Sequence, residues 1–406
     1  MGAAKRTKAN FKMENYVTKI RRELHSCPGV GFELDETLQI IRRELDKIGI
    51  SYTEKYGKSS IVATLGEERE GYTLALRADT DALPIEEKTD VSFKSKNIGK
   101  MHACGHDAHT AILLDVIRRA YEIKDEIPFR VKFFFQSAEE YAPGGAKLMV
   151  EDGAMVGVDA VAGLHVDPDT EVGKLKVGVG PQNASSNGFY LNFHGASAHA
   201  VKKERGKDAI KMAVTSYFEI ENLVNSKIKA GENMLFHVGQ IDGGKTNNIV
   251  ANECALFCTL RTFDDETAER MKLAIEKTAN ETAAKFGGSA ELVSVKSYPV
   301  IINEPSFTKE VRKAMQDIVG EENVGEKMRT MTGEDFSYFA KEAPGCFFRL
   351  GVKNESLFEA KPLHSEKFNL DESALKIGSD VFMQLILNKS AEIKNQQKSL
   401  KQNAKK

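Results

Sequence analysis

Strand-like and helical segments alternate along the first third of this 406-residue chain, and this alternation restricts its fold more than any other feature of the sequence. Leucine and isoleucine recur with the 4-3-4-3 spacing of one helix face between Leu34 and Ile48. A second helical stretch spans 108–121. Short β-rich runs lie at 59–65, 72–79, 131–137 and 159–166. Alternation of this kind predicts an α/β domain with a largely parallel sheet.

The pattern changes near Pro181, where strand-like and helical segments begin to follow in the order β-α-β-β-α-β. That order is typical of a ferredoxin-like domain. After Val300 the helical pattern of the first part resumes, so we expect two domains, the smaller one inserted in the larger. A chain of this length also exceeds one ordinary core. The predicted boundaries are 14–180 and 298–390 for the larger domain, 181–297 for the inserted domain and 391–406 for a polar tail.

Ionisable side chains follow the predicted strands of the larger domain. Asp79 and Asp81 come after one strand, Glu139 and Glu140 after another, and His165 at the end of a third. Ligands of α/β sheets bind at the carboxyl ends of the strands. Burial of two adjacent carboxylates is costly unless charge is needed there, for example when one binds a metal and the other acts as a base. A solvated loop is the alternative for an isolated glutamate pair.

The stretch KMHACGHDAHT, residues 100–110, is rich in potential metal ligands. If it is extended, Cys104 and His106 point to one side. A thiolate and an imidazole suit zinc or another borderline divalent ion. Asp107 and Thr110 are predicted to cap a helix that begins near Ala108. A redox cysteine beside ordinary helix capping is the alternative interpretation of this stretch.

Seven segments occur in a characteristic order: RADTDALP, MHACGHDAHT, QSAEE, GLHV, HGASAHA, EDFSYF and LHSEKF. Together they resemble the amidohydrolase branch of the aminoacylase/carboxypeptidase metallopeptidase superfamily, over about residues 16–387. The resemblance implies two divalent metal ions per subunit, manganese or zinc with cobalt or nickel as alternatives, bridged by Cys104. His102 and His109 match family histidines that do not bind metal. The implied ligands are Cys104, His106, Glu140, His165 and His364.

The resemblance also implies roles for residues that are not ligands. Glu139 matches the general base and acid, and Asp81 an aspartate behind the metal site that orients a ligand. His199, in the inserted domain, resembles a histidine that stabilises the oxyanion. Asn248 and Arg261 match positions near the substrate carboxylate, which an arginine can bind bidentately, although a surface salt bridge is the alternative for Arg261. The inserted domain would serve as a lid and dimerisation domain, giving a homodimer or a tetramer.

The activity implied by the resemblance is hydrolysis of the amide bond of N-acyl-amino acids, such as N-acetyl or N-benzoyl compounds. The products are a carboxylic acid and a free amino acid. A dipeptidase or carboxypeptidase that uses the same dinuclear site is the alternative within the enzyme class. Outside that reaction, a binding protein without catalysis and a thiol redox protein built on Cys104 stay open.

Composition restricts the classes of partner and the cell compartment that we expect for this protein. The net charge of −2, with acids and bases well mixed, excludes an extended nucleic-acid surface and favours a small-molecule substrate. No apolar run reaches the roughly 20 residues of a membrane span, and the basic N-terminus lacks the apolar segment of a secretory signal. Five cysteines without regular spacing favour a reducing compartment, so we expect a cytoplasmic protein. Cys254 and Cys258, in a strand-like run, are expected to be buried small hydrophobic residues.

Overall fold

A computed structural model describes residues 16–141 and 143–403. The predicted N-terminal boundary at residue 14 and the last three residues of the predicted tail lie outside this range. The chain divides into two compact units. Unit 1 contains the chain up to Gly180, Ile302–Met328 and the chain from Tyr338 onward; unit 2 contains Pro181–Ile301 and Arg329–Ser337.

The described α-helices begin with a helix at residues 16–26, which we label α1. The others are α2 Asp35–Ile48, α3 His106–Glu122, α4 Gly145–Glu151, α5 Ala209–Lys229, α6 Asp265–Lys285, α7 Pro305–Val319, α8 Phe336–Glu342 and α9 Ser373–Asn403. Short 3-10 helices span Lys124–Glu126, Ala200–Arg205 and Glu321–Asn323. No described helix is both long enough and apolar enough to cross a membrane.

The described strands are also labelled in chain order. They are β1 Ser51–Thr53, β2 Ile61–Leu65, β3 Thr73–Asp79, β4 Arg130–Gln136, β5 Ala160–Glu171, β6 Leu175–Lys176, β7 Gly180–Asn183, β8 Ser186–His194, β9 Met234–Gly243, β10 Glu253–Thr262, β11 Ser289–Tyr298, β12 Ile301–Asn303, β13 Val324–Gly325 and β14 Gly345–Lys353.

Unit 1 is built on a mixed sheet with the strand order β1-β2-β4-β3-β5-β14-β6-β13. The four central strands β4, β3, β5 and β14 are parallel, while β1 with β2, β2 with β4 and β14 with β6 pair antiparallel. The α/β fold predicted from the sequence is confirmed, with a sheet that is parallel at its centre and mixed toward its edges. Every residue of β3 is buried, as expected for a strand covered on both faces.

The apolar core of unit 1 joins this sheet to its helices. Helix α2 contributes the predicted face, with Leu38, Ile41 and Leu45 at most 4% exposed. Helix α3 packs against β3 and α9, and α7 packs against α9. The tail predicted at 391–406 is helical up to Asn403, because it continues α9.

Unit 2 has the predicted β-α-β-β-α-β order, from β8 through α5, β9, β10 and α6 to β11. Its four strands form an antiparallel sheet in the order β11-β8-β10-β9. Residues of β10 alternate between buried and more exposed, and the buried ones pack with α5 and α6. Cys254 and Cys258 are among them, each 3% exposed, as predicted for small hydrophobic residues.

The segment Arg329–Ser337 belongs to unit 2, whereas the sequence pattern placed it in the larger domain. Long-range hydrogen bonds explain the difference. The guanidinium of Arg261 donates to the carbonyl of Met331 at 2.8 Å, and the amide of Asn183 donates to Thr332 at 3.0 Å. Contacts between residues so far apart in sequence leave no trace in local periodicity.

Candidate active site

The central strands of unit 1 deliver most of the candidate residues. Asp81 follows β3 by two residues, and Glu139 and Glu140 follow the end of β4 at Gln136. Cys104 and His106 lie at the start of α3, and His364 lies in the loop between β14 and α9. His165 was expected at the end of its strand, but β5 continues to Glu171, so His165 lies near its middle. The extension arises because β5 pairs with β14 beyond His165.

The predicted ligands come together in unit 1. Of the five sets of described side chains whose ligand atoms lie within 4.8 Å of one another, three hold two or more predicted ligands, and these three share members. Cys104 is common to two of the sets, and His106 and Glu140 each occur twice as well. The sets are Cys104, His106 and His165; Cys104, Glu140 and His364; and His106, Glu139 and Glu140. This overlap suits two adjacent metal ions better than one tetrahedral ion, since five ligand side chains and a further carboxylate converge.

Hydrogen bonds fix which ring nitrogen of each buried histidine faces the cluster. His106 Nδ1 lies 2.8 Å from the carbonyl oxygen of Asp81, which can only accept, so Nδ1 carries the proton. Nε2 of His106 is buried and has no hydrogen-bond partner within the described part of the chain. His165 likewise donates from Nδ1 to the carbonyl of Val166 at 2.7 Å, and its Nε2 lies 3.4 Å from Cys104 Sγ. A buried nitrogen lone pair without a partner is costly, so Nε2 of His106 fits a metal ligand, and Nε2 of His165 lies beside the Cys104 sulfur at the same cluster.

Burial and neighbouring charges shape the titration of the cluster. Burial raises the pKa of the Cys104 thiol well above its usual value, and it lowers the pKa of His165 well below. Burial also opposes ionisation of Glu140, but the hydrogen bond with His364, 3.0 Å away, together with other neighbouring groups, outweighs burial and lowers the Glu140 pKa. Redox-active cysteines are low-pKa, accessible thiols, whereas Cys104 is 6% exposed. The geometry therefore favours a metal ligand over a redox thiol.

Asp81 holds the two glutamates in place. Its Oδ1 accepts a hydrogen bond from the backbone N–H of Glu139 at 3.0 Å, and its Oδ2 accepts one from that of Glu140 at 3.2 Å. Its backbone carbonyl also accepts a hydrogen bond from Nδ1–H of His106. One buried residue thus orients the base candidate and two ligand candidates, the arrangement expected of a carboxylate behind a metal site.

The turn between β4 and the glutamates has an unusual backbone. Ala138 has φ of +51°, a conformation that non-glycine residues adopt at a cost of about 1–3 kcal/mol and often at functional sites. His364 has φ of +65°. Gly145 packs against the same turn, and a Cβ atom there would lie 1.9 Å from the carbonyl oxygen of Ser137. The close approach of α4 to this turn therefore requires glycine.

The predicted capping roles of Asp107 and Thr110 are wrong. Helix α3 begins at His106, its N-cap residue is Gly105, and no side chain of a described residue caps it. Asp107 lies inside the helix and accepts hydrogen bonds from Arg21 Nε and His25 Nδ1, each at 2.8 Å. Thr110 donates to the carbonyl of a residue in β3 at 3.0 Å. Both residues are buried, so they bind partners far away in sequence rather than the exposed helix end.

His102 lies apart from the ligand sets. It is 1% exposed, and neither ring nitrogen has a hydrogen-bond partner among the described residues. Burial lowers its pKa to about 3, so the ring is neutral. Its ring centroid is 6.3 Å from that of His25.

Sequence reasoning assigned no role to Asp79. Its Oδ2 lies 3.7 Å from His106 Nε2 and accepts a hydrogen bond from Arg77 at 2.7 Å. The signal was available, because Asp79 ends β3 two residues before Asp81, and alternate residues of an extended chain share a side.

The remaining candidates belong to unit 2. His199 is exposed, and its Nδ1 accepts the N–H of Val201 at 3.3 Å, which leaves Nε2–H as a donor with no partner in residues 16–141 and 143–403. Asn248 is a neighbour of His199, since its carbonyl accepts the N–H of Ala200 at 2.9 Å. Arg261 bonds a backbone carbonyl and has no carboxylate partner among the described residues, so the salt-bridge interpretation is not supported. Burial lowers the pKa of Arg261.

Comparisons with known proteins show the family to which this chain belongs. Residues 75–388 match the profile of peptidase family M20/M25/M40. Thermostable carboxypeptidase 2 of Saccharolobus solfataricus is 33% identical over 371 residues, which cover 91% of this chain and 94% of the relative. N-acetyl-L-cysteine deacetylase of Bacillus subtilis is 34% identical over 363 residues, covering 89% and 85%. The crystal structure of Bacillus subtilis YXEP, described as a dinuclear metal-binding peptidase of the M20 family, is 29% identical with a TM-score of 0.79, covering 92% of this chain and 98% of that one.

Proposed function

Since the chain belongs to peptidase family M20/M25/M40 and is a hydrolase of amide bonds, we propose that it cleaves N-acyl-amino acids into a carboxylic acid and a free amino acid. The N-acetyl-L-cysteine deacetylase among its relatives is named for a substrate of this class. The observation that carries the proposal is the pair of buried Glu139 and half-buried Glu140, whose carboxylates each have an oxygen within 4.8 Å of a ring nitrogen of His106. A protein that only binds metal needs Glu140 as a ligand but has no use for the carboxylate of Glu139.

The donor set of unit 1 fits two divalent ions. Cys104, His106, Glu140, His165 and His364 would hold them, and Cys104 belongs to two of the ligand sets. Manganese or zinc suits these ligands, and cobalt or nickel are the alternatives. Bound metal would supply Lewis-acid polarisation of the scissile carbonyl and would lower the pKa of water from about 15.7 toward about 7.

Glu139 is the residue that moves protons in this proposal. Its side chain is buried, with the whole residue 7% exposed, and its backbone is fixed by Asp81. The carboxylate accepts a proton from the attacking water and then donates it to the nitrogen of the leaving amine, so the base returns to its starting state. Exclusion of bulk water strengthens its interaction with the developing charges.

Residues of unit 2 would handle the charges of the substrate. With its proton on Nε2, His199 would donate a hydrogen bond to the oxyanion. A donor of this kind lowers the activation free energy by about 3–4 kcal/mol in other enzymes. Arg261 would bind the carboxylate of the amino acid moiety through its fork of N–H groups, and Asn248 would add a further polar contact.

Replacement of the proposed base tests the proposal. Glu139→Gln should lower kcat by about 10²–10⁴ while metal content stays at the wild-type level. Glu140→Gln should lower metal content itself, because it removes a ligand. The matched control is Glu126→Gln, an exposed glutamate, which should change neither quantity. Near-normal turnover of metal-loaded Glu139→Gln would rule out the proposed role.

A substrate screen separates the deacylase from the alternative. A carboxypeptidase or dipeptidase stays a second candidate because a carboxypeptidase is among the relatives. The metal-loaded enzyme should be offered N-acetyl-, N-benzoyl- and long-chain N-acyl-amino acids beside dipeptides with the same C-terminal residue. A kcat/KM higher for the acylated compounds supports the proposal. Preference for dipeptides would instead indicate a partner for a free amino group.

A homodimer is the assembly we propose, with a tetramer as the alternative. Strand β9 is an edge strand of unit 2, and its Leu235 and Ile241 are 39% and 53% exposed. Val214 and Phe218 of α5 are also exposed. An exposed apolar edge strand is a pairing surface that proteins usually cover. Phe218→Glu should convert the dimer into monomers in analytical ultracentrifugation, and an unchanged mass would place the interface elsewhere.

The cytoplasm is the compartment we propose. All five cysteines, at positions 27, 104, 254, 258 and 346, are free. Free thiols persist where glutathione and thioredoxin keep them reduced.

A further inference from the structure

We propose that His109 is a positioning residue that holds the proposed ligand His165 in place through the backbone of Val166, and that Asp79 fixes the tautomer it needs. The inference rests on the proposed metal site but concerns a residue that binds neither metal nor substrate.

Both ring nitrogens of His109 are already engaged. Nε2 lies 3.0 Å from the backbone nitrogen of Val166, which can only donate, so Nε2 accepts. The ring proton is therefore on Nδ1, which donates to Asp79 Oδ1 at 2.6 Å. His109 is 2% exposed, so water does not compete for these bonds. With no lone pair left, His109 is excluded from the ligand set, although it lies one helical turn from His106.

The strand pairing explains why this bond is needed. Strand β3 pairs with β5 only as far as Gly163, so β5 runs beyond the end of its neighbour on that side. A buried backbone N–H without a partner costs about 1–3 kcal/mol. The side chain of His109, from α3, takes the place of the missing strand at Val166.

Val166 in turn holds the ring of His165 through its backbone carbonyl. His165 Nδ1 donates to the Val166 carbonyl at 2.7 Å, and this bond directs Nε2 toward Cys104. The ring of His109 also packs edge-on against that of His165, with centroids 4.8 Å apart. Backbone and ring contacts from one residue thus fix the position and the tilt of His165.

Asp79 completes the chain of contacts. Its Oδ2 accepts from Arg77 at 2.7 Å, so the carboxylate is anchored on one side and accepts the His109 proton on the other. A fixed carboxylate selects one tautomer of a histidine, because the neutral ring has only one proton to donate. The hydrogen bonds from Arg77 through Asp79 and His109 to Val166 form an unbroken series, and all four residues are buried.

Two substitutions of His109 distinguish positioning from simple packing. His109→Leu removes both nitrogens, whereas His109→Gln keeps an amide N–H for Asp79 and an oxygen that can accept from Val166. We expect the leucine variant to bind one of two Co²⁺ ions about 10–100-fold more weakly, and the glutamine variant to recover most of that loss. The visible absorption of the cobalt-loaded protein should change in the leucine variant, because the geometry of a nitrogen ligand has changed.

The matched control is His102→Leu. His102 is an equally buried histidine two residues before Cys104, but its nitrogens make no hydrogen bonds among the described residues. It should leave the Co²⁺ affinity and spectrum within about twofold of the wild type. Equal losses in both leucine variants, or no recovery in His109→Gln, would overturn the positioning role. Failure of the proposed reaction is a separate result, since cobalt affinity is measured without substrate.

Discussion

Removal of the Asp81 carboxylate should destabilise unit 1 and loosen the metal site together. The residue is fully buried and accepts the backbone N–H groups of Glu139 and Glu140 at 3.0 and 3.2 Å. Asp81→Leu, which is similar in size, leaves both donors without a partner. Each unsatisfied buried donor costs about 1–3 kcal/mol, so the free energy of unfolding should fall by about 2–6 kcal/mol. Asp81→Asn keeps one acceptor and should lose about half as much.

Urea unfolding of the metal-free protein, followed by circular dichroism, measures this effect, since the chain contains no tryptophan for fluorescence. The control is Asp90→Asn, an exposed aspartate, which should stay within about 0.5 kcal/mol of the wild type. Metal affinity should fall by about 10–100-fold in Asp81→Leu because the backbone of a proposed ligand is released. Stability within 0.5 kcal/mol of the wild type, about the scatter of neutral surface changes, would refute the reasoning.

The remaining predictions concern glycine packing and pH. Gly145→Ala should abolish metal binding in equilibrium dialysis, because the new Cβ would lie 1.9 Å from the backbone oxygen of Ser137. The control Gly239→Ala, whose Cβ would have its nearest neighbour at 4.0 Å, should bind metal as the wild type does. Metal binding should release the Cys104 proton, since burial raises that thiol pKa, so affinity should rise about tenfold per pH unit in calorimetric titrations. Burial lowers the His25 pKa, but Asp107 and Glu87 outweigh it and raise the value above 6.5. The stability difference between wild type and His25→Gln should therefore be full below pH 6.5 and shrink as pH rises through the folded-state pKa.

Local periodicity was sufficient to predict the fold class and the order of elements in unit 2. Each strand and helix there shows its own hydrophobic period, and the alternation seen in β10 is present in the sequence. The resemblance to the amidohydrolase branch is confirmed by the family match over residues 75–388. The convergence of Asp81 and Glu139 could be predicted as well, because parallel strands end at one edge of a sheet.

What could not be predicted depends on contacts between distant residues. Asp107 has the residue type of a helix cap, and only Arg21, which lies 86 positions earlier, shows that it is an ion-pair partner instead. The role of His109 likewise depends on Val166, which is 57 positions away. A single sequence records the chemistry of each side chain, but it does not show that the pairing of β3 with β5 stops at Gly163 and leaves the N–H of Val166 for His109.

The position of β14 in the sheet has a consequence for how the protein is made. This strand is near the C-terminus in sequence, yet it lies between β5 and β6, and the loop that carries His364 follows it. About 200 residues separate His165 from His364, and a ribosome adding about 5–20 residues per second takes roughly 10–40 s to make them. During that interval four of the five proposed ligands have been synthesised, but the sheet that supports them lacks an interior strand. Stable capture of both metal ions therefore waits until β14 and His364 have been made, after the whole of Pro181–Ile301 has left the ribosome.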